Sequence, residues 1–270
     1  MLLDMCEVIG KDYVRLREIA GQLDICKGDT LLISSDMKGL LFQCLAHGDE
    51  TDLNVFLESL MDAVGSEGTI LTPTFNWDFC KGIPFDYYRT PCRTGSMGRI
   101  ALKRKDYIRT KHPNYSFEEW GKGAVRLHEM DNRDSFGQDS PFAYMREVKA
   151  KNLFIDVSYQ NSFTFAHYVE EWEGKVPYRY VKDFTAGYID ERGVEEERTY
   201  SMFVRDLDMN VHVTIDPMER QFIQEGAQKS YRINEVDFKL LDLSQAYGLM
   251  KNDILYNRSR KLCTYDGQEA

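Results

Sequence analysis

Short apolar runs alternate with amphipathic stretches along the first 170 residues, and this alternation is the feature that most constrains the fold. Strands are predicted for the run Leu31–Ile33, for Thr69–Thr72 and for Asn152–Val157. Apolar residues recur at helical spacing from Leu53 to Val64, and another helix is predicted from Ser162 to Trp172. Strands that alternate with helices in this way are typical of an α/β sheet.

The sequence beyond residue 180 has a different pattern. Phe184–Ile189 and Thr199–Val204 flank a turn at Asp190–Gly193, and this arrangement predicts a hairpin. An antiparallel hairpin indicates a mixed sheet rather than a purely parallel one. Because no repeat or Pro/Gly-rich linker divides the chain, we expect one domain over residues 1–270. Its expected architecture is a layered α/β fold, with a central mixed β-sheet flanked by helices and an additional C-terminal hairpin.

Charge and composition narrow the class of protein. The 44 acidic side chains exceed the 34 basic ones and give a net charge of −10, which argues against a nucleic-acid partner and suits cationic small molecules. No stretch approaches the roughly 20 apolar residues that span a bilayer, so we expect a cytoplasmic protein without a membrane partner. Six cysteines without a CxxC pair indicate reduced thiols, and five histidines without HExxH or HxH spacing argue against a metal site.

The predicted helix after the third strand carries the most informative group of side chains. Phe165, Val169 and Trp172 define its apolar face. His167 lies on another face, one turn from Glu170 and from Glu171, and the sequence leaves open which of the two glutamates orients it. A carboxylate at this spacing can orient an imidazole and raise its basicity, as in proton-transfer sites. A surface histidine beside a surface glutamate is the alternative explanation, and Thr164 either caps the helix or faces the same space as His167.

A basic loop precedes a second predicted helix. Ser116 followed by Glu119 matches a capping box, which predicts a helix from there to about Leu127. Arg109, Lys111 and nearby His112 would place positive charge beside its N-terminus, a favourable position for an anion such as a phosphate group. The alternative is a purely structural loop in which the cap alone explains the pattern.

Two loops are further candidates for ligand contacts. The turn from Ser34 to Gly39 follows the first strand and offers hydroxyl and amide groups. The segment Asn76–Tyr88 is rich in aromatic and turn residues and includes Asp78 and Asp86, so it is suited to stack on a sugar ring and attract an ammonium group. Taken alone, the first of these loops is only a polar turn.

Together, these pieces resemble the aminoglycoside 3-N-acetyltransferase family, whose antibiotic N-acetyltransferase fold is unrelated to the GNAT fold. The resemblance is dense from about Lys27 to Glu171 and looser beyond. It rests on these motifs in this order: Gly28-Asp29, Ser34-Ser35, Gly68-Thr69-Ile70-Leu71-Thr72-Pro73-Thr74-Phe75, Phe85-Asp86, Thr90-Pro91, Gly95, Arg109, His112-Pro113, Ser116-Phe117, Gly121, Gly137, Ser140-Pro141, Leu153, Thr164, His167 and Glu170.

The resemblance implies an acetyl-CoA-dependent N-acetyltransferase that acts by direct transfer and uses no metal. Its implied catalytic residues are His167, Glu170 and Thr164, with Thr164 as a donor to the thioester oxygen. The residues expected to face CoA are Ser34, Ser35, Arg109, Thr110, His112, Ser116 and Phe117, and those expected to contact the amine are Asn76, Asp78, Asp86 and Glu171. Family members often carry His where Ser34 stands and Arg-Ser where this chain has Arg109-Thr110.

The acceptor and the activity leave alternatives open. The first choice of acceptor is an amino sugar, either free and aminoglycoside-like or linked to a nucleotide, and the second is another small amine such as an aminophosphonate. A catalytically silent module that binds CoA or a metabolite is a different class of function. A hydrolase that uses His112 and His167 is a third, although no nucleophile-elbow pattern supports it. The sequence does not indicate an oligomeric state.

Overall fold

The computed structural model describes residues 13–173 and 176–268, and their secondary structure is as follows. The strands are β1 (Thr30–Ser35), β2 (Thr69–Pro73), β3 (Phe85–Asp86), β4 (Ile108–Arg109), β5 (Phe117–Gly121), β6 (Lys151–Ile155), β7 (Arg179–Ile189), β8 (Glu195–Arg205), β9 (His212–Val213), β10 (Gln228–Ile233), β11 (Val236–Asp242) and β12 (Cys263–Thr264). The α-helices are α1 (Lys38–Ala46), α2 (Leu53–Val64), α3 (Ser96–Ala101), α4 (Ala124–Glu129), α5 (Pro141–Glu147), α6 (Tyr159–Ser162), α7 (Phe165–Trp172), α8 (Met218–Gln224) and α9 (Leu243–Asn257). Short 3₁₀ helices span Leu16–Gln22, Phe79–Lys81 and Leu207–Met209.

The main sheet is mixed. Within the described residues its strand order is β10-β11-β6-β1-β2-β5-β4. β1 pairs in parallel with β2 and β6, and the outer pairings are antiparallel. The prediction of a mixed α/β sheet is therefore confirmed, but its antiparallel strands are β4, β5, β10 and β11 rather than the predicted hairpin.

Helices cover both faces of the main sheet. Leu32 and Leu71 point to one face, where they join a core that includes residues of α5, α7 and α9. Leu31 and Ile70 point to the opposite face and pack with residues of α1, α2 and α3. α2 has the predicted boundaries because the Asp52 side chain accepts the N–H of Asn54 and the chain leaves the helix at a glycine with positive φ.

The predicted hairpin forms a separate sheet. β7 and β8 pair antiparallel along their whole length, with Arg179 opposite Arg205 at one end and Ile189 opposite Glu195 at the other. β3 pairs in parallel with β7. The hairpin is longer than the sequence pattern indicated. Among the described residues, no helix has the length and apolar character needed to cross a membrane.

The prediction of a helix that starts with a capping box at Ser116 is wrong. Residues 117–121 form β5, which pairs with β2 along its whole length, and the helix begins only at Ala124. The Ser116 hydroxyl does not cap a helix, because it lies 3.0 Å from the Thr74 hydroxyl and 3.1 Å from Nε of Arg109. The predicted helix 162–172 is also divided, since α6 ends at Ser162 and α7 begins at Phe165.

Candidate active site

His167 and Glu170 form a pair on one turn of α7. Nδ1 of His167 lies 2.7 Å from Oε2 of Glu170, and the side chains are 21% and 2% exposed. An ionised carboxylate can only accept a hydrogen bond. Nδ1 of His167 is therefore assigned the proton, and its other ring nitrogen, Nε2, is left unprotonated when the ring is neutral.

Two neighbours hold Glu170 as a carboxylate. The hydroxyl of Tyr178 donates to Oε1 over 3.0 Å, and Nε of Arg179 lies 2.9 Å from Oε2. Burial alone would raise the pKa of Glu170. The Arg179 guanidinium and the hydrogen bonds from His167 and Tyr178 outweigh it and lower that pKa. Glu170 is thus a buried anion fixed on three sides.

The imidazole of His167 is set to be neutral. Burial, followed by the positive charge of Arg179, lowers the pKa of His167 below its ordinary value even though Glu170 acts in the opposite direction. Nε2 has no hydrogen-bond partner in the part of the chain that the structure describes. His167 lines a cavity of 680 Å³, so this nitrogen is available to a proton donor that enters there.

A second cavity, of 690 Å³, lies at the carboxyl ends of β1 and β2. Its wall includes Ser34, Ser35 and Thr164, and residues 96–99 of α3 also line it. Ligands of α/β proteins commonly bind at this end of parallel strands. Thr72 also lines it, and the buried Thr72 hydroxyl has no hydrogen-bond partner within the described ranges.

The two cavities lie side by side at the start of α7. Thr164 lines the larger and His167 the smaller, and the His167 N–H donates to the Thr164 carbonyl over 3.0 Å. Trp77 and Tyr115 form a second point of approach, since they line one cavity each and their ring centroids are 6.2 Å apart. We refer to the cavity that Thr164 lines as the donor cavity and to the one that His167 lines as the acceptor cavity, after the roles that we propose for them.

The side chains of the Arg109–Phe117 segment hold neighbouring parts of the chain together, and we call it the framework segment. Arg109 is 2% exposed and donates to the carbonyls of Tyr87 and Thr90, each over 2.9 Å. The Thr110 hydroxyl accepts the N–H of Phe117. The predicted anion site at a capped helix N-terminus is wrong, because no helix begins at this position in the described residues.

Both ring nitrogens of His112, in the same segment, have hydrogen-bond partners. Its Nδ1 accepts the backbone N–H groups of Asn114 and Tyr115, and Nε2 lies 3.3 Å from the Ser135 hydroxyl. Burial, with the charge of Arg133, lowers the pKa of His112 to about 3. Arg109, Thr110, His112, Ser116 and Phe117 line neither large cavity, so their contact with CoA stays a prediction.

The residues predicted to bind the amine are engaged elsewhere. The Asn76 side chain donates to the Pro91 carbonyl, Asp78 pairs with Lys81 and Arg93, and Asp86 accepts backbone N–H groups that follow it. Burial, with a hydrogen bond to Asp134, raises the pKa of Glu171 to about 8. These four residues line neither the donor nor the acceptor cavity, and their role in substrate binding stays a prediction.

Sequence reasoning missed the residues that complete the pair. Tyr178 directly precedes β7 and Arg179 is its first residue, whereas the predicted hairpin strand began at Phe184, five residues after Arg179. Extending the pattern towards residue 179 would have placed Arg179 opposite Arg205 at the base of the hairpin. That position beside α7 was not visible in the sequence, because it depends on how the second sheet packs.

The fold and this site define a class of protein, the CoA-dependent N-acetyltransferases that lack the GNAT fold. The chain belongs to the aminoglycoside 3-N-acetyltransferase family, whose model matches residues 33–253. This membership confirms the family predicted from the sequence, the enzyme class and acetyl-CoA as co-substrate.

Individual relatives are distant. The SPbeta prophage-derived aminoglycoside N(3')-acetyltransferase-like protein YokD of Bacillus subtilis (strain 168) is 24% identical over 266 residues, which cover 89% of this chain and 91% of YokD. The solved structure of aminoglycoside acetyltransferase AAC(3)-Xa aligns with a TM-score of 0.73 at 17% identity, over 88% of this chain and 92% of that one. That of AAC-IIIb with CoASH aligns with a TM-score of 0.74 at 17% identity, over 91% and 97%. At these identities the structural likeness shows the fold.

Proposed function

We propose that the protein transfers the acetyl group of acetyl-CoA directly to a primary amine of an amino sugar, either free or linked to a nucleotide. The observation that carries the proposal is the His167–Glu170 pair, with Nδ1 held by the carboxylate at 2.7 Å and Nε2 left for the acceptor cavity. A histidine held in this way is suited to act as a general base.

The donor cavity has the chemistry that CoA requires. Arg99 lines it without an ion pair in the described residues and supplies positive charge for phosphate groups, Lys38 and Arg93 line it while paired with Asp36 and Asp78, and Ser34 and Ser35 supply hydroxyls. Its volume of 690 Å³ is within the range usual for cofactor sites. A solved neighbour of the same fold, AAC-IIIb, is described as a binary complex with CoASH, which supports the same use of this fold here.

The acceptor ammonium loses one proton to solvent before it can attack, and a base is needed for the second proton, which the nitrogen loses as the C–N bond forms. With a pKa of about 10.4, roughly one amine in 2,500 is neutral at pH 7. The neutral nitrogen attacks the thioester carbonyl, and Nε2 of His167 takes the proton that the nitrogen loses as the C–N bond forms. The C–S bond then breaks, and the thiolate leaves as CoA after it takes up that proton. Glu170 stabilises the imidazolium between these steps.

The Thr164 hydroxyl is placed to donate a hydrogen bond to the thioester oxygen as negative charge develops on it. This hydroxyl makes no helix cap, has no hydrogen-bond partner in the described chain, and lines the donor cavity one turn from His167. We expect Thr164→Val to lower kcat roughly 100-fold, because one donor to a developing oxyanion is lost. Thr164→Ser keeps the hydroxyl and serves as the matched control, so equal rates for the two variants would remove Thr164 from the mechanism.

The test is acetylation of a panel of amines, followed by thiol release and product mass. The panel includes aminoglycosides, because solved neighbours are described as bound to sisomicin and apramycin, and amino-sugar nucleotides. Release that requires an amine, with an acetylated product, supports the transferase. Release without an amine would indicate a hydrolase, and CoA binding without release would indicate a silent binding module.

A further inference from the structure

The acceptor cavity holds two positive charges that no acidic side chain of the described residues neutralises. Lys182 and Arg205 both line it and form no ion pair there. Nζ of Lys182 lies 5.4 Å from the centroid of the Phe184 ring, and Nη1 of Arg205 makes a single long contact of 3.5 Å with the Val211 carbonyl. Their charge therefore remains available to a bound molecule.

The base of the hairpin places like charges directly opposite each other. Arg179, the first residue of β7, is in register with Arg205, the last residue of β8. Like charges at directly opposed positions destabilise an antiparallel pair. Arg179 is compensated by Glu170, whereas Arg205 has no such partner in the described chain. Unfavourable local arrangements such as this pair of like charges typically occur at functional sites.

The cavity also has an acidic side. Asp206 and Asp208 line it at the 3₁₀ turn that follows β8, where Asp206 accepts the N–H of Asp208 over 3.1 Å. Arg205 also acts on the base, since its positive charge is among the causes that lower the pKa of His167, which lines the same cavity. A molecule with both an ammonium and an anionic group would meet side chains of opposite charge within this one cavity.

Building on the proposed function, we propose that the acceptor is an amine that also carries an anionic oxygen group, a phosphate or a carboxylate, bound by Lys182 and Arg205. Arginine suits such groups because its planar fork matches their oxygens. An acceptor with only positive charges, which the overall charge of −10 would attract, is repelled by these two side chains near the reacting nitrogen.

The experiment compares amino-sugar acceptors that differ in the charged groups they carry. They are glucosamine, glucosamine 6-phosphate, the corresponding 6-carboxylate, UDP-glucosamine and, as a polycation, sisomicin. Turnover is followed by thiol release and product mass, and binding by calorimetry with CoA present. We expect kcat/KM for at least one anionic acceptor to exceed that for glucosamine at least tenfold. The three anionic arms distinguish phosphate ester, carboxylate and nucleotide diphosphate.

Variants test the residues. Arg205→Met and Lys182→Met should each reduce the anionic-to-glucosamine ratio about tenfold, since a hydrogen-bonded charge is removed. Arg205→Lys should retain most of the ratio, and Arg205→Glu should shift the preference towards sisomicin. Arg220→Met is the matched control, because Arg220 is an exposed arginine on α8 that lines neither cavity, and it should leave the ratio unchanged.

The outcomes separate this inference from the proposed function. Acetylation of glucosamine or sisomicin at least as fast as every anionic acceptor, unchanged in Arg205→Met, would overturn the inference and leave the transferase standing. Binding of an anionic acceptor that weakens in Arg205→Met, without acetylation of any amine, would support the inference and overturn the proposed function. The absence of both binding and turnover across the panel would overturn both.

Discussion

Two polar regions of the molecule contain the same residue types but differ in what those residues contact. In the Arg109–Phe117 segment, Arg109 and His112 bond mainly to backbone groups, and both are about 2% exposed or less. At α7, His167 bonds to another side chain and keeps one nitrogen without a partner in the described structure. A polar side chain saturated by backbone holds the fold, whereas one oriented by a side chain and open to a cavity is available for chemistry.

Among the substitutions that test this difference between the two regions, we expect the largest effect at His167. We expect His167→Ala to lower kcat by roughly 10² to 10⁴, because the general base is removed. CoA binding, measured by calorimetry, should change little, since His167 lines the acceptor cavity and not the donor cavity. Unchanged turnover on the true acceptor would show that His167 is not the base.

Arg109 provides the opposite case. Arg109→Met should lower the free energy of unfolding by about 3 kcal/mol, since it leaves the carbonyls of Tyr87 and Thr90 and the Ser116 hydroxyl without their donor. Chemical denaturation measures this loss, and CoA affinity is measured on the folded fraction. Normal stability with weakened CoA binding would instead support the sequence-based prediction that Arg109 faces CoA.

Glu170→Gln is expected to have an intermediate effect. Turnover should fall roughly 10- to 100-fold, because the amide no longer stabilises the imidazolium. Burial and Arg179 already lower the pKa of His167, so in the wild type the base stays neutral below pH 6.5 and is lost only as pH falls further. Glu170 raises that pKa, so the acid limb of the kcat/KM profile should move to still lower pH in the variant. A limb that moved to higher pH would contradict the assigned role.

The smallest effect concerns Glu119, which lies in β5 beside the framework segment. Burial raises the pKa of Glu119 well above its ordinary value, and neither carboxylate oxygen has a partner in the described residues. The folded state therefore retains a proton that the unfolded state loses, and stability falls as pH rises from about 4.5 towards the folded pKa. Glu119→Gln should remove the contribution of Glu119 to this slope and so raise the free energy of unfolding at pH 8 relative to the wild type.

Thermal unfolding from pH 5 to pH 8 measures the effect at Glu119. The matched control is Glu129→Gln, at an exposed glutamate at the end of α4, which should follow the wild-type pH dependence. A parallel slope in Glu119→Gln and the wild type would show that the buried carboxyl does not titrate in this range.

The sequence predicted the elements whose local pattern agrees with their tertiary setting. β1, β2, β6 and α2 are short apolar runs or strongly amphipathic stretches that end at clear turn or cap residues. β5 was mistaken for a helix because Ser116 followed by Glu119 matches a capping box, and only pairing with β2 and β4 determines the strand. The β10–β11 hairpin was missed although its residues alternate in burial, since charged residues interrupt its apolar runs.

The candidate site likewise has one part that the sequence predicted and one part that it did not. The pairing of His167 with Glu170 follows from their spacing on one helix, so a local pattern was enough to predict it. The contributions of Tyr178 and Arg179 depend on the packing of β7 against α7, for which the sequence contains no local signal. The division into one domain over residues 1–270 stays a prediction.

The hairpin of β7 and β8 belongs to a sheet that shares no ladder with the main sheet within the described ranges. The donor cavity opens on the main sheet, whereas Arg179, Lys182 and Arg205 reach the acceptor cavity from the base of the hairpin. Under the acceptor role proposed for Lys182 and Arg205, substitutions of these two residues would alter which molecule is modified, whereas Arg179 must be retained because it holds Glu170. This separation gives natural variation, or an engineer, a small and self-contained surface on which to retune selectivity.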